Sequence, residues 1–331
     1  MYIPPFTISA NAINLIAEIS AQIERYAIRL EQSDGLKLRK ANRVKTIHSS
    51  LAIEGNTLSE DEVKDIIDGK TVVAPLRQIQ EVKNAIKTYE LYSRLNPFQV
   101  TDLLRAHGTM MTALTDDAGR FRRGGVGVFS EKELVHMAPS ADRVPTLIAD
   151  LFEWLKEAKD HLLIRSCVFH YEFEFIHPFS DGNGRMGRLW QSLILGRLHP
   201  LFEHLPVENM VYANQEAYYN AIEKSTAAAD SAPFIDFMLQ EILNTLKNHQ
   251  GSSLSQAEEW DVRDIVRDKF GISSGQIVEL IRDNPHITLD EIASALSVTR
   301  RSIEKKIKEL RDAGYIKREG SNKTGRWVIL V

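Results

Sequence analysis

The sequence predicts a mainly α protein in two parts: a large helical body broken by one β-hairpin, then a smaller C-terminal group of three helices and a second hairpin. Three observations carry this expectation. Apolar residues recur at three- and four-residue spacing through most of the chain before Gln250. That period vanishes between Gly119 and Pro145, where apolar and small residues alternate instead. Finally, Gln250-Gly251-Ser252-Ser253-Leu254-Ser255-Gln256 has the composition of a linker. At 331 residues and 43% hydrophobic composition, the chain can bury a sizeable core.

Taken in order, Ser9 precedes Ile13, Ile16, Ile19, Ile23, Tyr26 and Leu30, the pattern of a capped amphipathic helix. Ser33-Asp34-Gly35 is a turn signal, and a second helix follows through Val44, Ile47, Leu51 and Ile53 until Gly55-Asn56 ends it. Ser59-Glu60-Asp61-Glu62 is a capping box opening a helix with Val63, Ile66 and Ile67 inward. Further helices are expected over Ile79 to Leu91 and Thr101 to Leu114, where His107 and Met110-Met111 read as core or helix surface. The run Phe121-Arg122-Arg123-Gly124-Gly125-Val126-Gly127-Val128-Phe129, the turn Ser130-Glu131-Lys132 and the return Leu134 to Pro139 predict a hairpin. Arg122 and Arg123 within it are open to reading as plain surface charge. A helix through Leu147, Leu151, Phe152 and Leu155 leads to a mostly buried one from Leu162 to Ile176.

The composition excludes several classes. A formal net charge of −4 offers no global field for nucleic acid, so any such case is regional. The single cysteine, Cys167, rules out an intrachain disulfide and a cysteine-based zinc site, and reads as a core thiol. No run of about 18 apolar residues is present to span a bilayer. The N-terminus lacks a charged and apolar leader, so a cytoplasmic protein without a membrane partner is expected.

The chemistry concentrates in His177-Pro178-Phe179-Ser180-Asp181-Gly182-Asn183-Gly184-Arg185-Met186-Gly187-Arg188. Pro178 has no N–H to continue the preceding helix, which puts His177 at a helix end. Met186, Leu189, Trp190, Leu193 and Ile194 then recur at helical spacing, so Gly182-Asn183-Gly184 falls at the start of a new helix. Its free N–H groups make an anion site. Glycines admit a phosphate to the backbone, Asp181 is a hard oxygen donor suited to Mg²⁺ or Mn²⁺, and the Arg185 and Arg188 guanidiniums match phosphate oxygens. Together these describe a triphosphate cradle, with a mostly neutral His177 able to take a proton from a hydroxyl.

This dodecapeptide resembles the motif of the Fic family, H-P-F-x-D-G-N-G-R-x-x-R, at every fixed position. The resemblance implies a helical Fic-like core that transfers AMP from ATP to Ser, Thr or Tyr hydroxyls of proteins, self-modification included. It makes His177 the base and Asp181 the metal ligand, and gives Gly182, Asn183, Gly184, Arg185, Met186, Gly187 and Arg188 to the nucleotide. Ser50-Leu51-Ala52-Ile53-Glu54-Gly55 fits the family's inhibitory pattern [S/T]-x-x-x-E-[G/N], which implies that Glu54 pairs with Arg188 and that Ser50 helps fix the docking. The hairpin corresponds to the family's flap, whose Val126, Gly127, Val128 and Phe129 would pair with a target's main chain. A hairpin that only covers the core remains the other reading. Tyr218, Tyr219 and Asn220 correspond to residues walling the adenine, and Ala232 to Leu239 resembles the closing helix.

Beyond the linker, short helices at Ile277 to Ile281, after Thr288, and through Ile303, Ile307 and Leu310, then a hairpin around Gly320 to Gly325, resemble a winged helix-turn-helix. Arg300, Arg301, Lys305, Lys306, Lys308 and Arg311 make residues 299–326 a regional basic patch able to meet DNA, though the same fold also serves as an interaction module. The expected division is residues 1–95 as an N-terminal helical region with the inhibitory helix, 96–249 as the catalytic core, 250–260 as linker and 261–331 as the winged helix. Another donor nucleotide, removal of AMP, a nucleotide-sensing DNA-binding regulator and a homodimer are left open.

Overall fold

A computed structural model describes residues 2–32, 35–130, 133–203, 207–251, 266, 270, 272–320 and 325–330. Side-chain surroundings are described for these except within 26–42, 127–136, 203–207, 248–251 and 272–273. The linker beyond Gly251, the turn at 131–132 and the wing tip at 321–324 lie outside the described residues. The chain divides into two compact units, Met1–Ser252 and Ser253–Val331.

The first unit is helical. Its elements are α1 (Ala10–Gln32), α2 (Gly35–Ala52), α3 (Glu60–Ile67), α4 (Leu76–Glu90), α5 (Val100–Met110), β1 (Gly127–Ser130), β2 (Glu133–Met137), α6 (Val144–Glu157), α7 (Leu162–Ile176), α8 (Asn183–Leu198), α9 (Val207–Ala213), α10 (Gln215–Ala228) and α11 (Ala232–Gly251). Ser9 caps α1 through a hydrogen bond from the Ala12 N–H, and Ser59 with Glu62 forms the capping box expected for α3. At the centre, α7 packs along α8, and α7 is in turn covered by α6 and α11. Both central helices are buried on nearly all faces, as a helix wrapped by others must be. Phe169, Phe173 and Trp190 are fully buried there, each contributing about 1.5–3 kcal/mol through burial. No helix among the described residues is long and apolar enough to cross a membrane.

The N-terminal helices are continuous with this core: α1 lies along α11, and α2 touches α3, α4, α8 and α9. The hairpin is shorter than the alternating pattern implied. Strand pairing begins at Gly127, running Gly127↔Met137, Val128↔His136, Phe129↔Leu134 and Ser130↔Glu133, with a bulge after Val128. Residues 121–126 are instead tied back to the core through Arg122, described below.

In the second unit, helices Ile272–Asp283, Leu289–Ala295 and Arg300–Asp312 precede the antiparallel pair β3 (Ile316–Glu319) and β4 (Arg326–Ile329). Ile277, Ile281, Ile292, Ile303 and Leu310 share one core, and the Trp327 indole donates to the Ile287 carbonyl at 3.1 Å. Thr288 and Glu291 form a capping box, and Thr299 caps the third helix. That helix keeps Arg301, Lys305, Lys308 and Arg311 exposed. Part of the predicted basic patch is neutralised within the unit. Arg300 bridges Asp290 (2.7 Å) and Glu304 (3.0 Å), and Lys317 and Arg326 share Glu319.

Candidate active site

Helix α7 ends where Pro178 requires, and His177 closes it in the left-handed region at φ 51°. For a residue with a Cβ this conformation costs about 1–2 kcal/mol, so the surroundings must impose it. Several contacts do. The His177 N–H donates to the Phe173 carbonyl at 2.9 Å, and its Nδ1 lies 3.3 Å from the Glu174 carbonyl. Its own carbonyl accepts from Arg122 Nε at 2.7 Å. The same guanidinium reaches the carbonyls of Gly124 (2.8 Å), Pro139 (2.6 Å) and Ile176 (3.2 Å), while the Arg122 N–H donates to the Pro178 carbonyl at 3.0 Å. Arg122 is therefore not surface charge: it is buried, and it clamps the base of the hairpin to the histidine loop.

His107 shapes the next part of the loop. Its ring stacks on Phe179 with centroids 3.6 Å apart. Nδ1 accepts from the Gly119 N–H at 2.9 Å, which leaves Nε2–H to donate to the Asp181 carbonyl at 3.0 Å. Burial holds its pKa below the ordinary histidine value, consistent with this neutral tautomer. Ser180 donates to Asp117. Gly182 then turns at φ 85° against Met111, whose sulfur would lie 2.7 Å from any added Cβ, and α8 begins.

Asn183 differs from expectation in how it is used. Its side chain closes the loop on itself, Oδ1 accepting from the Phe179 N–H (2.9 Å) and Nδ2 donating to the Phe179 carbonyl (2.8 Å). What it can offer an anion is its backbone N–H, which with those of Gly184 and Arg185 precedes the first intrahelical bond, from Met186 to Gly182. Asp181 is partly exposed beside this nest, with Oδ1 3.0 Å from Arg185 and Oδ2 3.5 Å from Arg77. Arg185 is buried. Arg77, itself paired with Glu81, carried no signal in the sequence.

The Glu54 carboxylate occupies the top of the nest. A Cβ on Gly184 would fall 2.6 Å from Glu54 Oε1 and 2.9 Å from Arg188 Nη1, so both side chains lie over that glycine. Glu54 Oε1 accepts from Arg188 Nη2 at 2.8 Å, with the arginine side chain 2% exposed and the glutamate 32%. Burial opposes the Arg188 charge, but the Glu54 carboxylate outweighs it and holds the guanidinium above the usual arginine value. The Ser50 contribution is made by its backbone: the carbonyl accepts from Arg188 Nη2 at 3.0 Å, whereas the hydroxyl does not reach the motif loop. Glu54 stands past Ala52, the last residue of α2, in a closing turn with Gly55 at φ 86°. Asn56 pins that turn to α4 through Gln78 (3.2 Å) and Glu81 (2.8 Å).

The tyrosines predicted to wall a base are divided by the fold. Tyr218 is buried, its hydroxyl 3.1 Å from His170 Nε2, so it belongs to the core under the site. Tyr219 is half-buried beside it and Asn220 is exposed on α10. Of the expected flap, Val126 accepts from the Ala138 N–H at 3.2 Å, and Gly127, Val128 and Phe129 enter the two-stranded ladder. Met186 is buried in the core, and Gly187 touches Glu174. Glu174 was overlooked, although a carboxylate inside Phe173-Glu174-Phe175-Ile176 is itself a signal of a buried charge.

Comparison with known proteins accords with this geometry. The profile of the Fic/DOC family matches residues 95–195, and that of an HTH domain matches 275–322. The protein adenylyltransferase fic-1 of Caenorhabditis briggsae is 26% identical over 234 residues, covering 64% of this chain and 43% of its own length. The protein adenylyltransferase Fic of Drosophila grimshawi is 26% identical over 248 residues, 70% of this chain and 49% of that protein. This chain thus spans less than half the length of these curated relatives. A solved structure of Fic-1 (aa134 - 508) from C. elegans superposes with a TM-score of 0.58 at 20% identity over 74% of this chain and 73% of that one, a likeness of fold alone. A crystal structure of a Fic family protein from Desulfovibrio desulfuricans matches over 99% of this chain and 98% of its own, at 40% identity and a TM-score of 0.73. Identity of that extent, end to end and with the twelve-residue motif intact around a histidine, a nest and two buried arginines, means that the chain belongs to the Fic family.

Proposed function

We propose that this chain is a protein adenylyltransferase, moving AMP from ATP to Ser, Thr or Tyr hydroxyls of proteins, and that Glu54 restrains it. The observation that carries the reading is the Glu54–Arg188 pair seated over Gly184 at the mouth of an intact cradle. The curated relatives, named protein adenylyltransferases, support the reaction class. His177, with Nδ1 turned to the Glu174 carbonyl, keeps Nε2 to accept the hydroxyl proton. The hydroxyl oxygen then attacks the α-phosphorus, a new P–O bond forms, and the bond to the β-phosphate oxygen breaks to release pyrophosphate. The N–H groups of residues 183–185 and the two arginines stabilise the phosphate charge.

Asp181 fits a divalent cation held mainly by phosphate and water: it is a hard, partly exposed carboxylate beside the nest, and no cluster of three acidic, histidine or cysteine ligands occurs among the described residues. Asp181 would hold Mg²⁺ there, and the ion would supply positive charge to offset that of the phosphates. The open edges of the β1–β2 hairpin suit a target segment added as a strand, which would aim its hydroxyl at the α-phosphate. Glu54 deprives the γ-phosphate of Arg188 and adds a negative charge where it would lie.

The test is mass spectrometry of the purified protein and a protein mixture after incubation with ATP, GTP, CTP or UTP and Mg²⁺. Mass gains of AMP on hydroxyl side chains are expected. Gains with another nucleotide alone would replace the donor. The HTH match and the exposed Arg301, Lys305, Lys308 and Arg311 support a second activity, DNA binding by residues 299–326. Salt-dependent DNA binding that survives His177→Ala is its expected signature, and no salt-dependent binding would leave an interaction module.

A further inference from the structure

We propose that Glu174 is a positioning residue for His177, its carboxyl lying behind the imidazole, where its ionised form orients the ring and strengthens it as a base. This inference rests on the reading of His177 as the base. The Oε2 atom of Glu174 is 3.9 Å from His177 Nδ1, on the side of the ring away from Nε2. The Nδ1 atom already faces the Glu174 main-chain carbonyl at 3.3 Å, so one residue presents two oxygens to the same nitrogen. A carboxylate there favours the proton on Nδ1, which makes Nε2 the accepting nitrogen, and stabilises the imidazolium formed when Nε2 takes a proton.

Three further observations favour His177 over a merely structural role for this carboxyl. Its Oε1 atom is buried and accepts no hydrogen bond, an expensive arrangement to retain for packing alone. Space for that oxygen exists because residue 187 is glycine: a Cβ at that position would lie 2.5 Å from Oε1. The other nearby ring is committed elsewhere. His170 Nε2 lies 3.9 Å from Oε1, but it accepts from the Tyr218 hydroxyl at 3.1 Å while its Nδ1–H donates to Gln191 Oε1 at 2.6 Å. Burial pushes the His170 pKa down to about 4, so it stays neutral and forms no ion pair with the Glu174 carboxylate.

The charged and titratable groups around Glu174 come from every neighbouring element: His170 and His177 on α7, Arg188 on α8, Glu54 beyond α2, and Tyr218 and Tyr219 on α10. Burial pushes the Glu174 carboxyl up to about 8, Arg188 works against this and Glu54 adds to it. The carboxylate that supports His177 is therefore the form gained as pH rises through 8, and removing Glu54 makes it easier to reach.

The experiment has two arms on the full chain. Ring ¹⁵N shifts of His177 are followed against pH in the nucleotide-free protein, wild type and Glu174→Gln. The wild type is expected to show an inflection near pH 8, as Glu174 ionises beside the ring, that the variant lacks. Superimposable curves would overturn the proposal. In the second arm, Glu174→Gln in a Glu54→Gly background should lower kcat for AMP incorporation about tenfold at pH 8 with KM for ATP unchanged, and flatten the alkaline rise. A change confined to KM would also overturn it. If Glu174→Gln does not fold, Glu174→Asp withdraws the charge by one methylene and should shrink the alkaline inflection of the His177 ring shifts; an inflection of wild-type size overturns the idea. Altered histidine titration without AMP transfer in any variant would instead refute the transferase reading and leave the positioning role standing.

Discussion

Replacing Glu54 with glycine should make the protein less stable and more active at once. The Oε1–Nη2 contact is 2.8 Å long and its arginine is almost wholly buried. Breaking a fully buried pair costs about 3–5 kcal/mol. Here the glutamate keeps about a third of its exposure, and Arg188 retains the Ser50 carbonyl, so the loss is about 1–2 kcal/mol. The added glycine frees the unfolded backbone by about 0.5–1 kcal/mol more. A total near 2 kcal/mol should lower the midpoint of the first unit by about 4–8 °C. An ion pair that served only stability would lower activity along with it. Relief of inhibition instead raises AMP incorporation, because Arg188 and the space above Gly184 become available to the triphosphate. Thermal unfolding and labelled-ATP incorporation, measured side by side with Mg²⁺, decide the matter, and Glu54→Gln separates loss of charge from loss of shape. A folded Glu54→Gly protein that incorporates no more AMP than wild type would refute the inhibitory role and leave Glu54 as a helix-end charge.

Four further outcomes are expected. His177→Ala should abolish transfer while ATP binding, followed by calorimetry, is largely kept; equal transfer rates would remove the base assignment. Asp181→Ala should lose the response of activity to Mg²⁺, and an unchanged titration would remove the metal role. Arg122→Ala leaves the carbonyls of Gly124, Pro139, Ile176 and His177 without their shared donor, so a loss of about 3 kcal/mol or more is expected by denaturant unfolding, together with slower transfer. Burial pushes the Glu172, Glu174 and Glu208 carboxyls up to about 7, 8 and 7. Each binds its proton more tightly folded than unfolded, so its stabilising share is complete near pH 4–5 and is lost as pH rises through 7–8; a midpoint that does not fall across that window, or that Glu174→Gln leaves equally steep, would contradict the assignment.

What this sequence determined by itself was local. The helical period, the Ser59–Glu62 and Thr288–Glu291 capping boxes, the stop at Pro178 and the glycine-rich start of α8 are set by residues within a few positions of one another, and each is legible because backbone sterics and hydrogen bonding act at that range. The pattern around Ser50 and Glu54 was legible only as a resemblance. That the carboxylate lies over Gly184 and pairs with Arg188, 134 positions away along the chain, was decided by the packing of α2 against α8 and by Asn56 anchoring the turn to α4. The same holds for Arg122, whose chain neighbours suggest a surface hairpin and whose burial follows from four carbonyls converging from both sides of the histidine loop. His107 looked like an ordinary helix residue and Tyr218 was expected beside the adenine; both are buried, and tertiary structure gave them the Asp181 carbonyl and His170 to hold. Burial made the difference for Glu174 as well. A side chain's charge and hydrogen-bond capacity are fixed by its type, but whether they face water or a functional group depends on which distant segments exclude the solvent, and that is a property of the folded chain alone.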